Sequence, residues 1–270
     1  MSRPPFVVFT DLDGTLLDHA DYGWLPALPA LSRLRGLGVP VVLASSKTAA
    51  EIVTIRADLR LTHVPAIVEN GAGLLEAGAG VATDAESGDY PRLRALIATL
   101  DPRLRNHFFG FGDWDVDEVA LQTGLPPERA ALAKARQFSE PGLFTGTRDA
   151  RDAFVAALAA AGVTARRGGR FLTLSFGATK ADHMDALLSR YTVVGGPRPL
   201  AVALGDAPND VDMLNQADYG VIIPNPNGAE LPILAGEHSA RIRRSENPGP
   251  AGWNTAMLAL TSELTGATGS

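Results

Sequence analysis

The 270-residue sequence contains no cysteine. Disulfide staples, a thiolate nucleophile and cysteine-ligated zinc are therefore excluded. Such usage fits a reducing cytoplasm, the compartment expected here. Long apolar runs are missing too. No segment approaches the roughly 18–20 apolar residues that cross a bilayer, and the run Phe6-Val7-Val8-Phe9 is too short for a secretory leader. A soluble chain without membrane partners is expected. Histidine is sparse, with five copies and no His-x-x-x-His spacing, so no metal site built on histidine is predicted. Positive charge is outweighed: 24 Lys and Arg face 30 Asp and Glu, for a net charge of -6. That balance argues against nucleic acid as a partner. An anionic small molecule would need a local cluster of donors, or a metal.

What is present is a normal globular balance, 46% hydrophobic and 20% charged, with length for one large domain or two ordinary ones. Phe6–Phe9 is apolar without alternation and ends in Thr10-Asp11, the pattern of a buried parallel strand. Leucines at helical spacing over residues 25–37 stop at Gly36-Leu37-Gly38. A second buried strand is predicted over 39–44, a helix over 48–59 and a third strand over 66–68. This β-α-β-α-β order predicts an α/β fold with a doubly wound parallel sheet. Residues 76–90 have connector composition. Helices broken at Asn106-His107 and at Gly124-Leu125-Pro126-Pro127 are predicted over 91–136, followed by a strand from Phe144, a helix over 149–161 and a strand over 170–176. The β/α pattern then returns, with strands over 200–204 and 219–223 and a last helix over 253–264. The expected layout is a core of residues 1–84 and 178–270 interrupted by a smaller α+β domain of 85–177.

The chemistry concentrates at strand ends, where open α/β sheets bind ligands. Asp11-Leu12-Asp13-Gly14-Thr15 follows the first strand. Two carboxylates so close repel and call for a cation or a shared proton; Mg²⁺, which prefers hard oxygen ligands, suits them. Gly205-Asp206-Ala207-Pro208-Asn209-Asp210 follows another apolar strand nearly two hundred residues later. Between them, Ser45-Ser46-Lys47-Thr48 follows the second strand, and Lys180 opens a predicted helix. A phosphate could accept from the serine hydroxyl, the lysine and nearby backbone N–H groups.

Taken singly, each feature has an ordinary explanation. Acidic residues after a strand are common in solvated turns, Lys180 could be a surface lysine, Ser45 a helix N-cap and Asp210 a helix-terminal charge. Arg166-Arg167-Gly168-Gly169-Arg170 reads as a solvated hairpin turn as readily as a carboxylate clamp, and Trp253 as packing. A calcium loop beginning at Asp11 would need a distal Glu, but position 22 is Tyr.

Together the four motifs, in this order, resemble those of haloacid dehalogenase-type (HAD) phosphatases, over nearly the whole chain. The segment between the second and third motifs resembles the C2-type cap of the Cof-like branch, as does Glu69-Asn70-Gly71-Ala72. A narrower resemblance is to mannosyl-3-phosphoglycerate phosphatases. It is carried by Ser45-Ser46-Lys47-Thr48, Val68-Glu69-Asn70-Gly71, Asp115-Val116-Asp117-Glu118 with Thr123-Gly124-Leu125, and Gly249-Pro250-Ala251-Gly252-Trp253. Many Cof-like members have Thr-Gly-Arg where this chain has Ser-Lys-Thr.

The resemblance implies a phosphomonoester hydrolase that uses Mg²⁺ and forms an aspartyl-phosphate at Asp11. Asp13 would act as general acid and then base. Asp11, the backbone carbonyl of Asp13, and Asp206 would hold the metal, and Asp210 would place a water on it. Ser45, Lys180 and Asn209 would hold phosphoryl oxygens. Further substrate contacts would come from Ser46, Lys47, Glu69, Asn70 and Arg170, with Lys47 and the arginines facing a carboxylate and Glu69 and Asn70 facing sugar hydroxyls. The substrate implied is a sugar phosphate, mannosyl-3-phosphoglycerate, whose hydrolysis gives the compatible solute mannosylglycerate. Glucosyl-3-phosphoglycerate, sucrose phosphate, a phosphomutase reaction or a non-catalytic phosphate-binding role are the alternatives.

Overall fold

The computed structural model describes residues 4, 6–80, 89–226, 228 and 230–266. The predicted connector over 76–90 and the predicted boundary at 84/85 therefore lie partly outside the described residues. The chain divides into two compact units. One comprises residues 1–45, 64–67 and 179–270, and the other residues 46–63 and 68–178. Among the described residues no helix is long and apolar enough to cross a membrane.

The first unit is built on a five-stranded parallel sheet in the order Ile242–Arg244, Tyr219–Ile222, Leu200–Gly205, Phe6–Thr10, Val41–Leu43. Every residue of Phe6–Thr10 is buried, as expected for a central strand covered on both faces. Its register sets the site. Thr10 pairs with Leu43 on one side and Leu204 on the other, and the Asp11 N–H donates to the Leu204 carbonyl at 2.9 Å. Asp11, Ser45 and Asp206 therefore leave the sheet at one edge, within about a residue of the same level. A parallel bridge between Ala44 and Ile67 continues the sheet beyond Val41–Leu43.

Helices Leu28–Gly36 and Gly249–Thr265 pack on each other, and Asn254 accepts the Ala30 N–H at 2.9 Å. The last helix begins at Gly249, four residues before the predicted start, because Pro250 fits a first turn, where its missing N–H costs nothing. Trp253, fully buried, donates its indole N–H to Thr10 Oγ1 at 3.0 Å. Thr10 in turn donates to the Asp11 carbonyl at 2.8 Å. The indole thus both fills the core and braces the strand that presents Asp11.

The second unit carries a four-stranded antiparallel sheet in the order Phe108–Gly110, Glu140–Phe144, Phe171–Ser175, Thr164–Gly168. Its main core joins Leu93, Ile97, Phe108, Phe154, Leu158, Val163 and Leu174. Helix Ala49–Asp58 belongs to this unit and packs on helix Pro127–Lys134. Thr48 and Glu51 form a capping box at its start, and the Thr48 hydroxyl also donates to the Leu132 carbonyl at 2.9 Å.

Three strands here differ from the sequence reading. Phe108–Gly110 lies where broken helices were expected. Phe108 is drawn under the sheet to stack on Phe154 at 5.3 Å while Phe109 faces out, a period-two pattern too short to register in sequence. The strand expected from Phe144 instead starts at Glu140 and ends there. Its Pro141 and Gly142 are poor strand formers, but Gly142 sits where a Cβ would press on the Phe108 ring at 2.5 Å. Thr164–Gly168 was not predicted, since an outer strand with exposed Arg166 and Arg167 needs no apolar run.

Candidate active site

Four of the expected residues meet at the edge of the parallel sheet. Lys180 is 0% exposed; its ammonium lies 2.5 Å from Asp11 Oδ1 and 2.7 Å from Asp210 Oδ1. The 3-10 turn Lys180–His183 is set by Thr179, whose N–H and hydroxyl both donate to Asp182. Asp210 is equally enclosed, and its second oxygen accepts the N–H groups of Asp206 and Ala207, both at 3.0 Å. It folds the Gly205–Asp210 loop back on itself. Gly205 is needed for that approach, because a Cβ would come within 2.4 Å of Asp210. Asp206 accepts from Thr15 Oγ1 at 3.0 Å and from Asn225 Nδ2 at 2.5 Å. Gly14 (φ 83°) turns the chain after Asp13, with the left-handed backbone that glycine tolerates best. A side chain there would strike His19 and Asp206.

The electrostatics follow from this enclosure. Burial, opposed by the Lys180 charge but reinforced by Asp210, Asp206 and Asp13, pushes the Asp11 carboxyl well above the ordinary aspartate range. Burial and Asp210 raise Asp206, while its bonds from Thr15 and Asn225 pull the other way. Burial alone would lower Lys180, but the two carboxylates override it and hold the ammonium above its ordinary value. Asp11, Asp206 and Asp210 each offer an oxygen within 4.8 Å of the others. A single buried ammonium does not balance three carboxylates. A hard divalent cation fits the donor set and the charge.

Asp13 is partly exposed just after Asp11, Ser45 is buried at the end of its strand with its N–H on the Ile67 carbonyl (3.0 Å), and Asn209 is partly buried in the turn Pro208–Asp210. Five expected substrate contacts belong to the second unit. Ser46 is exposed, and its carbonyl accepts from Arg136. Lys47 and Asn70 are half-buried, with Asn70 in the left-handed region (φ 59°). Arg170 is exposed at its hairpin turn, 5.2 Å from the Phe171 ring centroid. Glu69 departs from the expected sugar contact: it is buried, and both its oxygens accept from the segment 136–139. Sequence reasoning gave no role to Thr15 or Asn225, the two donors to Asp206. Thr15 stood inside the first acidic motif and could have been singled out, whereas nothing in Pro224-Asn225-Pro226 marks its partner.

The profile of the haloacid dehalogenase-like hydrolase family matches residues 8–101. The glucosyl-3-phosphoglycerate/mannosyl-3-phosphoglycerate phosphatase of Persephonella marina is 35% identical over 272 residues, covering 96% of this chain and 98% of that protein. Among solved structures, a haloacid dehalogenase-like hydrolase from Bacteroides thetaiotaomicron aligns over 94% of this chain and 99% of its own with a TM-score of 0.62 at 19% identity. The sucrose-phosphatase of Synechocystis sp. PCC6803 aligns over 95% and 98% with a TM-score of 0.59 at 14% identity. Those two likenesses are of fold. With the sequence relationship running end to end at 35% identity, the chain belongs to the haloacid dehalogenase-like hydrolase family.

Proposed function

We propose that this protein is a phosphatase that hydrolyses sugar-phosphoglycerates, mannosyl-3-phosphoglycerate first and its glucosyl counterpart with it. The observation that carries the chemistry is the buried set of Asp11, Lys180, Asp206 and Asp210. The substrate rests on the end-to-end likeness to the Persephonella marina enzyme. Residues 85–177 are proposed as the cap that reads the sugar and the acid.

Asp11 attacks phosphorus in line and forms an aspartyl-phosphate as the phosphorus–oxygen bond of the substrate breaks. Asp13 gives its proton to the departing alkoxide, then takes one from the water that attacks the phosphoenzyme, and Asp11 leaves as carboxylate. Lys180 fixes the rotation of the Asp11 carboxylate and, with Ser45 and Asn209, supports phosphoryl oxygens. Asp11, Asp206 and the Asp13 carbonyl would hold Mg²⁺, with Asp210 behind them, and the ion would offset the repulsion between carboxylate and phosphate.

The test is phosphate release with Mg²⁺ from mannosyl-3-phosphoglycerate, glucosyl-3-phosphoglycerate, 3-phosphoglycerate, mannose 6-phosphate and sucrose 6-phosphate. A kcat/KM at least about tenfold higher for the two glycosyl-phosphoglycerates is expected. Equal, low values across the panel would discard the substrate while keeping the family chemistry.

Metal binding has its own expected result. At about a hundredfold excess over Kd, Mg²⁺ should raise Tm by roughly 5–10 °C. The gain should shrink as pH falls, because Asp11 and Asp206, with raised carboxyl pKa values, must lose protons before the ion can bind. A thermal scan with saturating Mg²⁺ that shows no shift at neutral pH would remove the ion from these carboxylates.

A further inference from the structure

The most heavily bonded carboxylate that the proposed reaction does not use is Glu69. Its Oε1 accepts the Gln137 N–H at 2.8 Å. Its Oε2 accepts the N–H groups of Phe138 (3.2 Å) and Ser139 (2.8 Å) and the Ser139 hydroxyl (2.7 Å), and pairs with Arg136 Nε at 3.2 Å. Three successive backbone N–H groups converging on one anion make a nest, a concavity that binds anions in many proteins. Here the anion is supplied by the chain itself.

The nest holds two more segments. Arg136, after pairing with Glu69, reaches the Ser46 carbonyl at 3.3 Å and Ser139 Oγ at 2.6 Å. The Glu69 N–H donates to the Lys47 carbonyl at 2.9 Å. Glu69 and Asn70 both lie in the left-handed region, at φ 49° and 59°. Asparagine visits that region more readily than other non-glycine residues, but glutamate gains nothing locally from it. The bonds around the carboxylate over-determine a backbone that the residue would otherwise leave. Lys47 and Asn70, assigned from sequence to the glycerate and sugar ends of the substrate, sit on the two segments so held.

We propose that Glu69 is a positioning residue whose carboxylate fills an internal anion nest, and so sets the loops of Lys47 and Asn70 to receive the non-phosphate part of the substrate. The proposal rests on the sugar-phosphoglycerate reading for that last step only.

The test is Glu69→Gly, which suits the left-handed backbone and removes only the side chain. KM for mannosyl-3-phosphoglycerate is expected to rise about 10- to 100-fold with little change in kcat, while KM for p-nitrophenyl phosphate, which has neither sugar nor acid, stays within about twofold. Formate should enter the vacated nest, raising the Tm of the variant but not of the parent and restoring part of the lost KM. An equal loss on both substrates, or no response to formate, would overturn the proposal. Should Glu69→Gly fail to fold, Ser139→Ala removes one donor and keeps the carboxylate. A rise of about three- to fivefold in KM for the sugar substrate alone is then expected, and an unchanged KM would overturn the idea. The Tm response to formate involves no substrate. A formate response in a protein whose parent ignores the glycosyl-phosphoglycerates would support the nest and sink the substrate. No formate response beside normal parent activity would sink the nest and leave the substrate standing.

Discussion

Asp11→Asn is expected to lower kcat by about 10⁴-fold or more, because the residual chemistry loses its covalent route altogether. The fold should survive. An asparagine carbonyl can still accept from Lys180, at the position where Asp11 Oδ1 now lies 2.5 Å from the ammonium. The lost negative charge was a burden as well as a partner, since Asp206, Asp210 and Asp13 all push the Asp11 carboxyl upward. Thermal stability in the absence of metal should therefore fall little, and Mg²⁺ should stabilise the variant less than the parent. Phosphate release and intact mass after quenching with substrate make the check. The parent should show a transient gain of one phosphoryl group that the variant lacks. Near-normal turnover by Asp11→Asn would end the aspartyl-phosphate mechanism.

Lys180→Met should be the most destabilising change at the site. The ammonium is fully enclosed between Asp11 and Asp210, and removing one member of a buried ionic group strands the others at a cost of about 3–5 kcal/mol. Near neutral pH that is roughly a 10 °C loss in Tm for a chain of this size. The pH dependence gives the sign. The ion pair contributes while Lys180 is charged, which its raised pKa secures up to alkaline pH, and while Asp11 is charged, which acid removes. The deficit against the parent should therefore be large near neutral pH and narrow as pH falls and Asp11, whose carboxyl burial holds well above the ordinary range, takes up a proton. Mg²⁺ should recover part of the stability by supplying the missing charge. It should not recover activity, expected to be lower by about 10²–10³-fold in kcat, since the donor proposed for a phosphoryl oxygen is gone. A variant as stable as the parent at neutral pH in EDTA would show that Lys180 does not balance this cluster.

Legibility in the sequence followed the kind of signal each feature leaves. Asp11, Ser45 and Asp206 could be placed at one sheet edge because each follows an apolar run too uniform for anything but a buried strand, and the observed register bears out the strands themselves. Lys180 was legible only by its order among the other motifs, since nothing around it foretells that it would be wholly enclosed. The partner of Glu69 left no trace. The nest at Gln137, Phe138 and Ser139 is made of backbone N–H groups, and backbone donors are the same in every sequence. Trp253 read as packing, which its burial bears out, but its bond to Thr10 across 243 residues was beyond any local pattern. The strands of the second unit were the hardest. Phe108–Gly110 and Thr164–Gly168 lie at the edges of their sheet and hold shape through neighbours rather than through their own apolar pattern.

The place of Phe6–Thr10 in its sheet has a consequence for how the protein is made. The strand that carries Asp11 is translated well before most of its partners: one of its two neighbours is Leu200–Gly205, its charge partners are Lys180, Asp206 and Asp210, and its brace is Trp253. At about 5–20 residues per second, the early strand waits ten seconds or more on the ribosome with one flank unpaired and an acidic cluster unassembled. A growing chain therefore cannot hydrolyse phosphate esters, and activity should switch on only after residue 253 has cleared the exit tunnel. Until then the exposed side of Phe6–Thr10 is the surface that a chaperone would meet.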